Sequence, residues 1–328
     1  MWDCRHTRAE DFANSMAINR VDWQDDFPAR CRNGAIAVGN FDGAHRGHAA
    51  LLASLARRAA QVGGPAVAVT FDPHPLTILR PDIRVELLTT PDQRAEYLHQ
   101  LGADEVVVLC VTPRLLELRA KEFFSSVIRD RLTARAVVEG PTFAFGKGRE
   151  GDLALLARLC ADSGVLLDVI GPVDLDGGEV SSSRIRADLH RGDVAHARHL
   201  LGRDYRIRGV VVAGARRGRT IGFPTANLER VETLVPGDGV YAVRVALPDG
   251  SMRAGAANVG PNPTFAEQAQ KIEVHLLDYA GDLYDESLSV DFVERLRDTR
   301  PFGGVPDLVA QLTRDVAEAR SLVSLIRG

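Results

Sequence analysis

The stretch Ala35–Val62, AIAVGNFDGAHRGHAALLASLARRAAQV, leaves the fewest folds open to this chain. Ala35–Val38 is a short apolar run, Gly39 and Gly43 permit backbone angles that other residues avoid, and Leu51, Leu52, Leu55, Ala59 and Val62 recur at helical spacing. A strand, a tight turn and a helix are predicted. His45 and His48 then share one face at the start of a helix beginning near Ala44, where unpaired N–H groups and the helix dipole favour an anion. Histidines so spaced also fit half of a metal site or a solvated helix face. Asp42 in the turn, two glycines that let backbone approach a ligand, and a buried-type strand before them are what an open α/β sheet uses to bind a nucleotide beyond its strand ends.

From Ala35 to about Asp168 short apolar runs alternate with helical patterns. Strands are predicted at Ala35–Val38, Ala66–Phe71, Val106–Cys110, Ala136–Val138 and Leu166–Ile170, and helices near 91–101, 120–131 and 152–163. Such alternation implies a parallel sheet covered by helices. Thr90-Pro91 is a good helix start, a capping hydroxyl followed by proline. Residues 1–33 show no clean periodicity and read as a polar leader. Three further segments stand out in this half. Pro73 and Pro75 hold His74 in an extended loop after the second strand. Gly146-Lys147-Gly148-Arg149-Glu150-Gly151 satisfies G-x-G-x-x-G, though a lone match after an interrupted, proline-led strand is a weak dinucleotide signal. Ser181-Ser182-Ser183-Arg184-Ile185-Arg186 opens a helix; one serine serves as its cap, and the remaining hydroxyls and guanidinium groups suit a polyphosphate.

Residues 188–203 read as a helical linker with His196 and His199 on a polar face and no acid completing a metal set. After Gly202 strands follow one another: Arg206–Val212, Val240–Ala246, Met252–Asn258, Ile272–Leu277 and Leu288–Phe292, which argues for an antiparallel sheet or small barrel. A helix over Pro306–Ile326 is predicted to bury Leu308, Leu312, Val316, Ala319 and Val323. Between the first two strands, Gly214, Gly218 and Gly222 supply a backbone that can fold over phosphates, with Arg216, Arg217 and Arg219 adding charge. Thr225 and Asn227, two apart on an extended segment, point the same way and can hold Mg²⁺ beside the nucleotide's phosphates. Glu273 and His275 share a strand face opposite Ile272, Val274 and Leu276.

With a net charge of −4 and a pI of about 6.2, nothing argues for a nucleic-acid surface. No apolar run approaches membrane-span length, and four scattered cysteines without C-x-x-C spacing fit a reducing cytoplasm. Small-molecule partners are expected.

Five strings, in order, resemble the bacterial bifunctional riboflavin kinase/FMN adenylyltransferases, the FAD synthetases: GNFDGAHRGH, TFDPHP, TFAFGKGREGD, SSSRIR and GFPTAN. EVHLLD and the NVGPNPTF loop at Asn258–Phe265 extend the likeness, which runs from about Ala35 to Arg320. The pattern is departed from at Thr142, where Asn or Asp is usual, and at Thr299, where Glu is usual. The resemblance implies a Rossmann-like α/β nucleotidylyltransferase domain (34–187) followed by a small antiparallel β-barrel riboflavin kinase domain with a C-terminal helix (204–328). It implies phosphorylation of riboflavin to FMN and adenylylation of FMN to FAD, with ATP as co-substrate and Mg²⁺ as cofactor. His45, His48 and Arg186 would act on adenylyl transfer, with Gly39, Phe41, Asp42, Gly43, His74, Phe143, Gly146, Lys147, Ser182 and Ser183 around flavin and nucleotide. Glu273 would be the base for riboflavin's 5′-hydroxyl, Thr225 and Asn227 the Mg·ATP ligands, and Gly214, Gly218, Gly222, Pro224, Asn258 and Thr264 the surrounding loops. Retention of only one activity, or flavin binding without turnover, are the alternatives.

Overall fold

The computed structural model describes residues 18–214, 217–261 and 271–325, and its backbone separates into two compact units that meet at Val180 and Ser181. The first unit is built on β1 (Ile18–Val21), β2 (Ala35–Val38), β3 (Ala66–Asp72), β4 (Glu105–Cys110), β5 (Ala136–Glu139) and β6 (Leu166–Val169). They form one sheet in the order β1-β4-β3-β2-β5-β6, every pairing parallel. Strands covered on both faces read as continuous apolar runs, which is how AIAV, AVAV and VVVL appear in the sequence.

The two faces differ in residue size. Ala35, Ala37, Ala66 and Ala68 face the helix Arg46–Val62, whose Leu52, Leu55 and Ala59 fill that side; Ile36, Val38, Val67 and Val69 face the opposite core with Phe123, Phe124 and Ile128. Small side chains let the helix lie close to the sheet, so the turn joining it to β2 is held at both ends. Gly63, with φ +66°, ends this helix. Chain order reverses between β2 and β5, and the loops after them open at the carboxyl ends of the strands, where α/β sheets bind ligands.

Three expectations change. The end of the 1–33 leader belongs to the sheet: Ile18–Val21 is its edge strand, Asn19 donates to the Val106 carbonyl at 3.0 Å, and Phe27 and Cys31 are buried in the core. The 120–131 helix is α-helical only over Ala120–Phe123 and continues as a π-helix over Phe124–Arg131. The 188–203 linker is two packed elements of the second unit: helices Ser182–His190 and Val194–Leu201 bury Ile185, Leu189, Val194, Ala197 and Leu200.

A two-stranded hairpin, β7 (Asp174–Leu175) and β8 (Gly178–Glu179), precedes the boundary. The second unit is a closed antiparallel barrel of β9 (Tyr205–Val212), β10 (Ala226–Glu229), β11 (Gly239–Ala246), β12 (Met252–Gly260), β13 (Lys271–Leu276) and β14 (Ser287–Arg297), ordered β10-β13-β12-β11-β14-β9 and closed by β10 on β9. Alternate residues such as Ile207, Val211, Leu228, Val274 and Phe292 fill the interior. The helix Val305–Leu325 covers part of the outside: Ala319 and Val323 pack on Ala242 and Val293, while Leu308, Leu312 and Val316, expected in its buried stripe, are half-buried.

Candidate active sites

In the first unit the turn after β2 is wound tightly, with φ +48° at Phe41, +84° at Gly43 and +39° at Ala44. Positive φ at two residues that carry a Cβ is backbone strain, and it stands where a ligand is expected. His45 caps the helix, and its backbone N–H donates to His48 Nδ1 at 3.2 Å. That bond places the proton of a neutral His48 on Nε2. The two rings stack at 3.7 Å between centroids, and Phe41 meets His48 edge-on at 5.2 Å. Gly47, which the sequence reading passed over, is needed for this: a Cβ there would lie 3.1 Å from the His45 ring. At Gly39 a Cβ would lie 3.3 Å from the Phe41 ring.

Asp42, expected beside the nucleotide, faces inward. Its carboxylate accepts the N–H groups of Leu88 and Thr89, each at 3.0 Å, and the Thr89 hydroxyl at 3.1 Å, with the Arg94 guanidinium 3.8 Å away. Its task is to hold the turn. Asp72, at the end of β3, accepts from Arg20 on β1 at 3.1 Å, which ties the edge strand to the proline loop. There His74 Nδ1 accepts the Leu76 N–H at 3.2 Å, so its Nε2 carries the ring proton.

After β5, Phe143 stacks on Phe145 at 5.4 Å. Two of the glycines that follow are explained by packing: a Cβ at Gly146 would fall 2.5 Å from the Ala120 nitrogen, and one at Gly151 2.8 Å from the Ala120 side chain. Lys147 is anchored likewise, its N–H donating to the Leu118 carbonyl at 2.7 Å and its ammonium to Glu117. Glu139, unremarked in the sequence, is fully buried at the end of β5 and accepts the Val38 N–H at 2.8 Å, and burial pushes its carboxyl well above the usual range.

Ser181 caps the first helix of the second unit, accepting the Arg184 N–H at 3.3 Å, so Ser182, Ser183 and Arg186 lie in its opening turns. Near its end an acid does meet His196, contrary to expectation: Asp188 Oδ2 lies 2.8 Å from Nδ1, and Asp193 accepts the His196 N–H at 2.9 Å. Arg191 holds the other Asp188 oxygen, and together these contacts join the two helices.

On the barrel, β13 pairs with β10 on one side and β12 on the other, and the register sets Glu273 opposite both Asn227 and Asn258. Directly opposed residues share a face with Cβ atoms about 5 Å apart, so Glu273 stands between two carboxamides on the outside of the barrel. The glycine loop is fitted around them. A Cβ at Gly214 would fall 2.2 Å from Asn227 Nδ2; one at Gly218 would fall 2.2 Å from the Phe223 carbonyl, with Thr225 Oγ1 at 3.6 Å; Gly222 has φ +89°. His275 Nδ1 donates to the Pro224 carbonyl at 2.8 Å, and its ring meets Phe223 edge-on. Thr264 lies outside the described residues.

Residues 28–184 match the FAD synthetase family and residues 201–323 the riboflavin kinase family. A Pseudomonas fluorescens protein named bifunctional riboflavin kinase/FMN adenylyltransferase is 39% identical over 88% of this chain and 92% of its own length. The chain belongs to that bifunctional family. An Escherichia coli K12 member is 36% identical over 89% of this chain and 93% of its own. A crystal structure described as a macrolide-efflux protein from Streptococcus pneumoniae superposes with a TM-score of 0.83 at 32% identity, covering 92% of this chain and 98% of that one. No helix among the described residues is long and apolar enough to cross a membrane. The family's two activities are phosphorylation of riboflavin to FMN and adenylylation of FMN to FAD, both with ATP, and this chain carries the domain for each.

Proposed function

We propose that riboflavin phosphorylation is performed at the row Asn227, Glu273, Asn258 and the loop that packs on it. The observation that carries this is the register of β13, which sets one carboxylate directly across from Asn227 of the GFPTAN segment. Glu273 takes the proton of the 5′-hydroxyl as that oxygen attacks the γ-phosphorus of ATP, the bond from the γ-phosphorus to the β-phosphate oxygen breaks, and ADP leaves. Thr225 and Asn227 offer a hydroxyl and an amide oxygen, the hard donors that Mg²⁺ prefers, and would hold the ion against the phosphates; bound there it neutralises phosphate charge. Gly214, Gly218, Gly222 and Pro224 shape the backbone beside them, and Asn258 and Thr264 belong to the flavin side.

Adenylyl transfer uses the turn after β2. A phosphate oxygen of FMN attacks the α-phosphorus of a second ATP and the bond to pyrophosphate breaks; His45 and His48, at a helix N-terminus, stabilise charge as pyrophosphate leaves, and Arg186, Ser182 and Ser183 are assigned to the leaving group by the resemblance. Gly39, Phe41 and Gly43 supply backbone, and His74 and Phe143 are flavin contacts; Gly146 and Lys147 act by shaping their loop. The residues proposed for adenylyl transfer lie within 34–187 and those proposed for phosphorylation within 204–328. Riboflavin, FMN and ATP are the partners, and the place of work is the cytoplasm.

Glu273→Gln keeps the side-chain shape and removes the base. Riboflavin phosphorylation is expected to slow by roughly 10²-fold or more while FMN conversion to FAD is unchanged. An unchanged phosphorylation rate removes Glu273 from the mechanism.

A further inference from the structure

Beneath the His45 turn lies a buried polar network that joins Asp42 and Thr70, from two of the family strings, to Thr89 and Arg94, which belong to neither. Asp42, Thr70, Thr89 and Arg94 are each at most 2% exposed. Arg94, on the helix Pro91–Gln100, donates to Thr70 Oγ1 at 3.1 Å, to the Phe71 carbonyl at 3.2 Å and to the Thr89 carbonyl at 3.3 Å, and its guanidinium lies 3.8 Å from Asp42. The Thr70 hydroxyl itself donates to the Asn40 carbonyl at 3.0 Å. The Gly43 N–H donates to Thr89 Oγ1 at 3.2 Å, and that hydroxyl donates to Asp42.

These contacts tie together three stretches of chain: the turn Asn40–Gly43, the end of β3 at Thr70-Phe71 just before the His74 loop, and Leu88-Thr89 ahead of the helix cap at Thr90. A buried ion pair is a poor stabiliser beside apolar packing of the same volume, so its retention calls for another role. What these groups do is pin strained backbone: Phe41 and Ala44, with positive φ, flank Asp42 and lead into His45.

We propose that Arg94, acting through Asp42 and Thr89, is a positioning residue for adenylyl transfer. It fixes the His45–His48 turn and the end of β3 in one frame, so that the phosphate-binding and flavin-binding loops keep their mutual geometry. The proposal rests on the reading of His48 as an adenylyl-transfer residue. Displacing a catalytic group by about 1 Å can cost about 10²-fold in rate without touching the reacting atoms.

The test uses the full chain and the variants D42N, R94M, R94K, H48A and R94M/H48A. D42N and R94M are expected to lower kcat for FMN adenylylation by about 10- to 100-fold. Both KM values should move far less, with riboflavin phosphorylation and the amount of FAD bound per chain as in the wild type. R94K recovers part of the loss. Because Arg94 acts through the turn that carries His48, R94M/H48A should be about as slow as H48A alone, whereas general weakening would add to the H48A defect. If R94M fails to fold, D42N and D42N/H48A carry the test. Wild-type turnover in D42N with H48A impaired overturns the proposal and leaves the reading of His48 standing, as does a loss matched by a fall in bound FAD. Wild-type turnover in H48A removes that reading and the proposal with it.

Discussion

Glu139 shows how one buried side chain writes pH into stability. Its carboxyl accepts the Val38 N–H at the end of β5, and burial raises its folded-state pKa well above the ordinary value of 4.5. Once pH exceeds that ordinary value, the unfolded chain has released a proton that the folded chain still holds, so stability falls as pH rises. The contribution is fully present below the unfolded value and is lost as pH climbs through the folded one. Glu139→Gln keeps an oxygen for Val38 and removes the proton. The expected outcome is a flatter dependence of the first unit's melting temperature between about pH 5 and about pH 8, with the variant more stable at the upper end; parallel curves for the two proteins would contradict it. Cys31 and Cys160 are likewise turned from chemistry, their thiols pushed up to about 11 by burial. Residues proposed to meet a ligand stood out in the sequence through their spacing, as His45, His48, Thr225 and Asn227 did. Those that support them did not, because Thr89, Arg94 and Glu139 belong to no local pattern and find their partners only in the folded chain.

Among the elements, β2 and the helix after it were legible because four apolar residues, a glycine turn and a helical stripe fall within one short window. The strand β1 was not: INRV has only alternate residues buried, and its partner β4 lies far along the chain. The stretch 188–203 was read as a connection because polar histidines mask a buried face of Val194, Ala197 and Leu200. Barrel strands were found within a few residues by alternation, but β10 was recognised only as an extended segment, since its first two residues are the end of GFPTAN and only two more follow. The small face of the sheet makes a further prediction. Ala37 is fully buried beneath the helix Arg46–Val62, so Ala37→Leu overpacks that contact and should cost about 1–3 kcal/mol. Denaturant unfolding read on the first unit would show the lower midpoint, with riboflavin phosphorylation unchanged. An unaltered midpoint would mean that the helix can move away from the sheet freely.

The whole molecule combines two folds that manage phosphate by different means. A parallel sheet offers a helix N-terminus and a strained turn; a barrel offers a carboxylate set between two carboxamides, with glycines clearing the space around them. The residues proposed for one reaction do not recur in the other, so the two reactions should be separable within one population of chains. The measurement that tests this most directly follows riboflavin, FMN and FAD by chromatography, with MgATP, for Glu273→Gln, His48→Ala and an equal mixture of the two. Glu273→Gln should leave riboflavin nearly untouched yet convert added FMN to FAD, His48→Ala should accumulate FMN, and the mixture should make FAD from riboflavin. Loss of both activities in either variant, or a mixture that stops at FMN, would contradict the assignment of one reaction to each site.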